Sequence, residues 1–149
     1  MEFLEFIQKA LEEDIRDGDH TTLACIPENL PGKAILNVKE AGILAGMQVA
    51  EAIFSYLDTS ARFISFKQDG ARVEPGDLAF EVQAGIHTLL QAERLVLNTM
   101  QRMSGIATIT KVYTDKIKGH PAKILDTRKT TPLFRKYEKE AVAIGGGSN

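Results

Sequence analysis

The chain has 149 residues, a length that gives one ordinary domain, or one domain and part of a second. Its 18 basic and 20 acidic residues leave a net charge of −2, which excludes a broad cationic footprint for nucleic acid, and its 44% apolar content is that of a globular protein. No apolar run approaches the roughly 20 residues of a bilayer span, the acidic start Met1-Glu2-Phe3-Leu4-Glu5 is unlike a signal peptide, and the single Cys25 excludes an internal disulfide and fits a reducing cytoplasm.

Phe3, Leu4, Ile7, Leu11 and Ile15 recur at helical spacing and predict an amphipathic helix that Asp17-Gly18-Asp19 ends. Stretches 33–39 and 43–45 read as short strands about a Lys39-Glu40-Ala41-Gly42 turn. A second helix is predicted over 47–57, with Val49, Ile53, Phe54 and Leu57 inward. Stretch 61–67 reads as a strand with apolar side chains on both faces, hence partial burial on each side, and Asp69-Gly70 turns it. Another strand covers 78–82, after Pro75-Gly76-Asp77.

Thr88 and Gln91 form a candidate capping box for a long helix that runs to about 104, where Gly105 breaks it. A further helix follows to about 118, then a Gly119-His120-Pro121 linker, and Ile124 begins a strand. Pro132 suits the first turn of a helix that reaches 144. Gly145-Gly146-Gly147 then marks either a flexible tail or a backbone that a phosphate or a neighbouring strand approaches closely. Strands before Gly85 and helices after it suggest an α+β front domain. The strand–loop–helix unit from Ile124 has the form of the first unit of an α/β barrel, which the remaining residues cannot close.

Chemistry concentrates in Ile124-Leu125-Asp126-Thr127-Arg128-Lys129-Thr130-Thr131-Pro132. An apolar strand feeds two adjacent cations flanked by hydroxyls, the form in which α/β proteins present an anion site at a strand's carboxyl end. Arg128 offers a planar fork and Lys129 a point charge, a pair that suits a carboxylate or phosphate; the plainer reading is a solvated surface loop. Arg94 flanks an apolar stripe between Leu90 and Leu97 and has no carboxylate three or four residues away. It therefore snorkels, pairs with another element, or serves a site.

Other patterns carry less. Asp14, Asp17 and Asp19 lack the acidic twelfth position of a calcium loop, where Cys25 stands, and read as turn and capping residues. His20, His87 and His120 are widely spaced, so no metal site is expected, and His20, Cys25 and Ser104 suggest no nucleophile with its base. The stretch from Asp69 to Leu78 has the hairpin shape of biotinyl and lipoyl carriers, with Lys39 as an imagined modified lysine. The carrier lysine's usual Met or Ala neighbours are missing, so the likeness is one of shape.

Three blocks together resemble the quinolinate phosphoribosyltransferase family, the type II phosphoribosyltransferases. They are Glu13-Asp14 with Gly18-Asp19-His20-Thr21-Thr22; Glu93-Arg94-Leu95-Val96-Leu97-Asn98 with Gln101-Arg102 and Ser104 to Thr108; and Asp126 to Pro132 followed by Arg135, Glu138-Lys139, Ala141-Val142 and the triple glycine. Leu133 departs from the pattern, which usually has Gly after the proline.

The resemblance implies an open α+β sandwich over 1–107 with a long interface helix, followed by the start of an α/β barrel over 108–149, so that the chain is roughly half of a family member. It implies transfer of phosphoribose from 5-phosphoribosyl 1-diphosphate to quinolinate with Mg²⁺, giving nicotinate mononucleotide, pyrophosphate and CO2 for NAD biosynthesis. Residues 1–149 by themselves are then expected to have little or no activity. It further implies a cytoplasmic homodimer in which Arg94 reaches the neighbouring subunit's site and binds a substrate carboxylate, while Thr127, Arg128 and Lys129 bind substrate; Arg102 is a weaker candidate and structural by default. The alternatives are a related type II transferase of another substrate, such as the molybdenum-operon relatives, and a non-catalytic dimerisation fragment.

Overall fold

The computed structural model describes residues 3–28 and 30–149. Helix α1 (Phe3–Ile15) buries Phe6, Ile7 and Leu11 on one side. Arg16 takes a left-handed φ of 52° as the chain leaves it. Asp19 then caps α2 (His20–Cys25), its carboxylate accepting the Thr22 N–H at 3.1 Å. Six residues are too few to show a helical period, so α2 left no pattern in the sequence beyond its cap.

β1 (Pro31–Asn37), β3 (Arg62–Ser65) and β5 (Leu78–Gly85) form an antiparallel sheet in the order β1-β5-β3. Its register puts Leu36 and Ser65 beside Phe80, and Ala34 and Phe63 beside Val82. Those positions make the inner face, where the rings of Phe63 and Phe80 lie 4.5 Å apart and Phe54 closes the cluster from α3 (Met47–Leu57). Glu81 lies on the outer face and pairs with Lys33 at 3.2 Å. β2 (Gly42–Ile43) pairs with β4 (Arg72–Val73) in a separate two-stranded ribbon. The two strands read on either side of Lys39–Gly42 are therefore not hairpin partners. The inner-face match of Ala34 and Leu36 with β5 outweighs sequence proximity.

β5 runs straight into α4 (Ile86–Lys116), a helix about 46 Å long at 1.5 Å per residue. Gly85 precedes it with no side-chain cap, and the Ile86 N–H goes to the Leu30 carbonyl at 2.9 Å, so no capping box forms at Thr88 and Gln91. The helix also continues through Gly105. That residue is exposed, while Met103, Ala107 and Thr110 on the opposite side are buried, and packing overrides the roughly 1 kcal/mol glycine penalty. Two hydroxyls one turn apart fix β2 to this helix. Thr108 Oγ1 accepts the Ile43 N–H at 2.8 Å, and Ser104 Oγ accepts the Ala45 N–H at 2.9 Å.

α5 (Arg135–Ile144) packs on the far part of α4, and the glycines explain how closely. A Cβ on Gly145 would stand 2.5 Å from the Ala107 carbonyl oxygen, and one on Gly147 would meet Val142 at 2.6 Å. The backbone of the triple glycine is thus approached closely, but by α4 and the chain's own α5 where a phosphate or a neighbouring strand was expected. α5 starts later than the predicted 132, because Pro132 lies in a turn ahead of it. The division between 107 and 108 falls within α4, which crosses it unbroken. No helix among the described residues is long and apolar enough to cross a membrane.

Candidate active site

The strand expected from Ile124 is reduced to one parallel bridge between Leu125 and Ser148. The Ser148 N–H donates to the Ile124 carbonyl at 2.8 Å, and the Asp126 N–H to the Ser148 carbonyl at 3.0 Å. α5 is the crossover that parallel pairing requires. Asp126 forms an ion pair with Lys139 of α5, which anchors the start of the loop.

Its hydroxyls hold the loop in shape. Thr127 Oγ1 accepts the Lys129 N–H at 3.0 Å in a local turn and keeps its own proton free to donate. Thr130 Oγ1 accepts from Arg135 Nε at 3.1 Å. Arg102 of α4 donates from Nη2 to Thr131 Oγ1 and from Nε to Glu138 Oε1, the latter at 2.7 Å, while the Thr131 N–H reaches Glu138 Oε2 at 3.3 Å. Glu138 is buried, which pushes its carboxyl up, but the hydrogen bonds from Arg102 and Thr131 and the nearby guanidinium outweigh this and hold it below its ordinary value. Arg102 is thereby a tie between α4, the loop and α5.

Arg128 and Lys129 sit at the apex of this scaffold. Both are exposed, and neither side chain makes a hydrogen bond or ion pair with the described residues. The loop closes at Leu133, whose φ of 65° lies in the left-handed region and whose side chain is 75% exposed. The departure from glycine noted in the sequence therefore falls at a backbone position where glycine is the unstrained residue.

Arg94 belongs to a second locus. α4 presents Gln91, Arg94, Asn98 and Gln101 toward a cavity of about 600 Å³, across from Asp14 of α1 and the Gly18–Thr21 segment. Arg94 Nη1 donates to Asp14 Oδ1. The partner that sequence spacing could not supply on α4 thus comes from 80 residues earlier. The cavity lining holds three carboxylates, Asp14, Asp19 and Glu93, against the one guanidinium. Asp19 is held below the ordinary carboxylate range by the Thr22 hydroxyl and N–H. Residues 127–129 do not line this cavity. The candidates therefore fall into two places, Arg94 on α4 and residues 127–129 on the loop that α4 holds through Arg102, eight residues or about 12 Å along the helix from Arg94.

Among the described residues no group of three or more His, Cys, Asp or Glu is placed to hold a metal ion. The role of Asp14 and the Arg102–Glu138–Thr131 network were not legible in the sequence, since each joins residues distant along the chain.

An α+β front half, a long shared helix and a parallel strand–helix start, whose loop carries two cations unpaired among the described residues, define a protein of mixed α and β structure. Residues 19–104 match the N-terminal domain of quinolinate phosphoribosyl transferase, and residues 106–149 match its C-terminal domain. The chain belongs to the quinolinate phosphoribosyl transferase family.

It is 49% identical over 144 residues to quinolinate phosphoribosyltransferase [decarboxylating] 1b of Nicotiana tabacum, covering 96% of this chain and 41% of that one. It is 47% identical over 146 residues to quinolinate phosphoribosyltransferase [decarboxylating] 2, mitochondrial, of Nicotiana glauca, covering 97% and 41%. The crystal structure of NadC from Streptococcus pyogenes superposes with a TM-score of 0.93 at 39% identity, covering 97% of this chain and 52% of that one. The chain thus spans between two-fifths and about half of these relatives.

Proposed function

We propose that the protein is a quinolinate phosphoribosyltransferase. It joins quinolinate to 5-phosphoribosyl 1-diphosphate and yields nicotinate mononucleotide, pyrophosphate and CO2, a step of NAD biosynthesis. The observation that carries this reading is the pair Arg128 and Lys129, exposed and unpaired among the described residues on a loop whose other polar side chains are tied down.

The reaction begins with the pyridine nitrogen forming a bond to the anomeric carbon as the bond to diphosphate breaks. The ring nitrogen becomes positively charged and can accept the electron pair released when the adjacent carboxylate leaves as CO2. A proton then replaces that carboxylate. Arg128 can hold a carboxylate through two parallel N–H bonds, and Lys129 can serve either a carboxylate or a phosphate. Thr127 adds a hydroxyl donor on the same turn. Held together, the two anions meet in one orientation instead of by collision. The cations also stabilise charge that develops on the departing diphosphate. The family implies Mg²⁺ with the donor, but no group of three or more His, Cys, Asp or Glu among the described residues is placed to hold such an ion.

In the same reading the front half is an open sandwich over 1–107, residues 108–149 begin an α/β barrel, and the protein is a cytoplasmic homodimer. The separation of Arg94 from the loop supports a site completed by a second subunit, with Arg94 reaching a substrate carboxylate there. An apolar cleft of about 620 Å³, which Leu97, Met100, Ile109 and Val112 of α4 help to line, supports a subunit contact on this helix. The exposed Cys25 suits a reducing compartment. The Nicotiana glauca relative's name includes "mitochondrial", so cell fractionation decides the compartment.

The test is donor-dependent formation of nicotinate mononucleotide from quinolinate by the whole protein. Product formation that Arg128→Ala abolishes supports the proposal. A folded protein that leaves quinolinate untouched refutes it.

A further inference from the structure

The Arg94 side chain is 70% exposed, whereas the carboxylate it meets, Asp14, is 24% exposed and fixed on the last turn of α1. A long, mobile cation at a cavity mouth is thus held by a short, half-buried anion. The contact uses one N–H of Nη1. The Nε and Nη2 edge makes no hydrogen bond to the described residues, and that edge is the planar fork that grips a carboxylate bidentately. Two further carboxylates of the lining, Asp19 and Glu93, oppose anion binding by adding negative charge around the single guanidinium. An Arg94 lying down among these carboxylates would be neutralised. An Arg94 pinned at one corner keeps its other edge pointed outward.

We propose that Asp14 is the positioning residue for Arg94. It holds one corner of the guanidinium so that the free edge is already oriented for a substrate carboxylate, and it does not touch substrate itself. This rests on the reading that Arg94 binds a carboxylate. Its physical content is preorganisation: an oriented fork loses less side-chain freedom on binding than a free one. Asp14 should therefore act on affinity for the carboxylate substrate, only through Arg94, and with little effect on the phosphoribosyl donor.

The test is a double-mutant cycle in the whole, active protein with quinolinate and 5-phosphoribosyl 1-diphosphate. Asp14→Ala should raise KM for quinolinate about tenfold, in the middle of the range for contacting charged groups, with the donor KM and kcat changed less than about threefold. Asp14→Asn keeps an acceptor for Nη1 and should recover most of the loss. In an Arg94→Ala background, Asp14→Ala should add nothing. The melting temperature of each variant separates positioning from folding.

If Asp14→Ala leaves the quinolinate KM unchanged while Arg94→Ala raises it, the positioning role is wrong and the substrate role of Arg94 stands. If neither change affects quinolinate, the reading of Arg94 itself fails. Additive losses in the double mutant, or equal losses for both substrates with a fall in melting temperature, would make Asp14 merely structural and overturn the proposal.

Discussion

Arg94 and the pair Arg128–Lys129 are all exposed cations, yet the molecule treats them differently. Arg94 has an internal carboxylate and lies beside a cavity rich in acid groups. Arg128 and Lys129 have no partner among the described residues and stand on a loop whose other polar side chains are engaged. A cation with a built-in partner is positioned before any ligand arrives. An unpaired cation on a rigid loop is an unmet demand for negative charge. In the proposed reading the comparison separates a residue that is aimed from residues that await a ligand, and neighbours that can be deleted with little effect on stability from those that cannot.

The largest effect should come from the loop apex. Arg128→Ala should lower kcat/KM for quinolinate by about 100- to 1,000-fold, the scale of losing a charge-assisted contact, and leave the melting temperature within a degree or two, since no internal contact is lost. A large fall in melting temperature would place Arg128 with the structural residues instead.

The converse holds for Glu138→Ala, which should destabilise the fold by about 2 kcal/mol in chemical denaturation by stripping Arg102 and Thr131 of their acceptor. Because the folded state holds Glu138 below its ordinary value, this contribution is present above the ordinary carboxylate range and lost as the pH falls below it, a loss the variant should no longer show. Gly145→Ala should cost a similar amount, on the order of 1–3 kcal/mol, because the added carbon would press on the Ala107 carbonyl.

Tyr137 supplies an alkaline counterpart. Its ring is buried against Phe6 and Phe134, and burial, with the Glu140 charge, pushes the phenol up from 10.0 to about 12. The unfolded chain gives up this proton first, so stability should decline between pH 10 and about 12 and level beyond it, a decline that Tyr137→Phe removes. The smallest effect is expected at Leu133→Gly. Relief of the left-handed strain, partly offset by glycine's entropy, should stabilise the protein by about 0.5 kcal/mol, with nothing lost from an exposed side chain.

Much of this was legible along the chain. The periodicity of α1 and α3, the turn-bounded stretches that form the strands of the sheet, and the cation pair with its hydroxyls were all local patterns. The misreadings share one cause. Gly105 has the propensity of a helix breaker, but buried neighbours on the opposite face of α4 hold the helix together. Thr88 and Gln91 have the spacing of a capping box, but β5 enters α4 without a loop and Leu30 takes the first N–H. Strands beside a turn suggest a hairpin, but the inner-face match of β1 with β5 decides the pairing. In each case a contact between distant residues overrode a local preference, and the same holds for the partner of Arg94.

The most direct test follows the carbon that leaves. Quinolinate labelled in the carboxyl next to the ring nitrogen should release labelled CO2 from the whole protein only when 5-phosphoribosyl 1-diphosphate is present. Arg128→Ala and Arg94→Ala should each abolish most of that release while the protein stays folded. Release that does not depend on the donor, or that survives Arg128→Ala undiminished, would contradict the assignment of the loop as the substrate anion site.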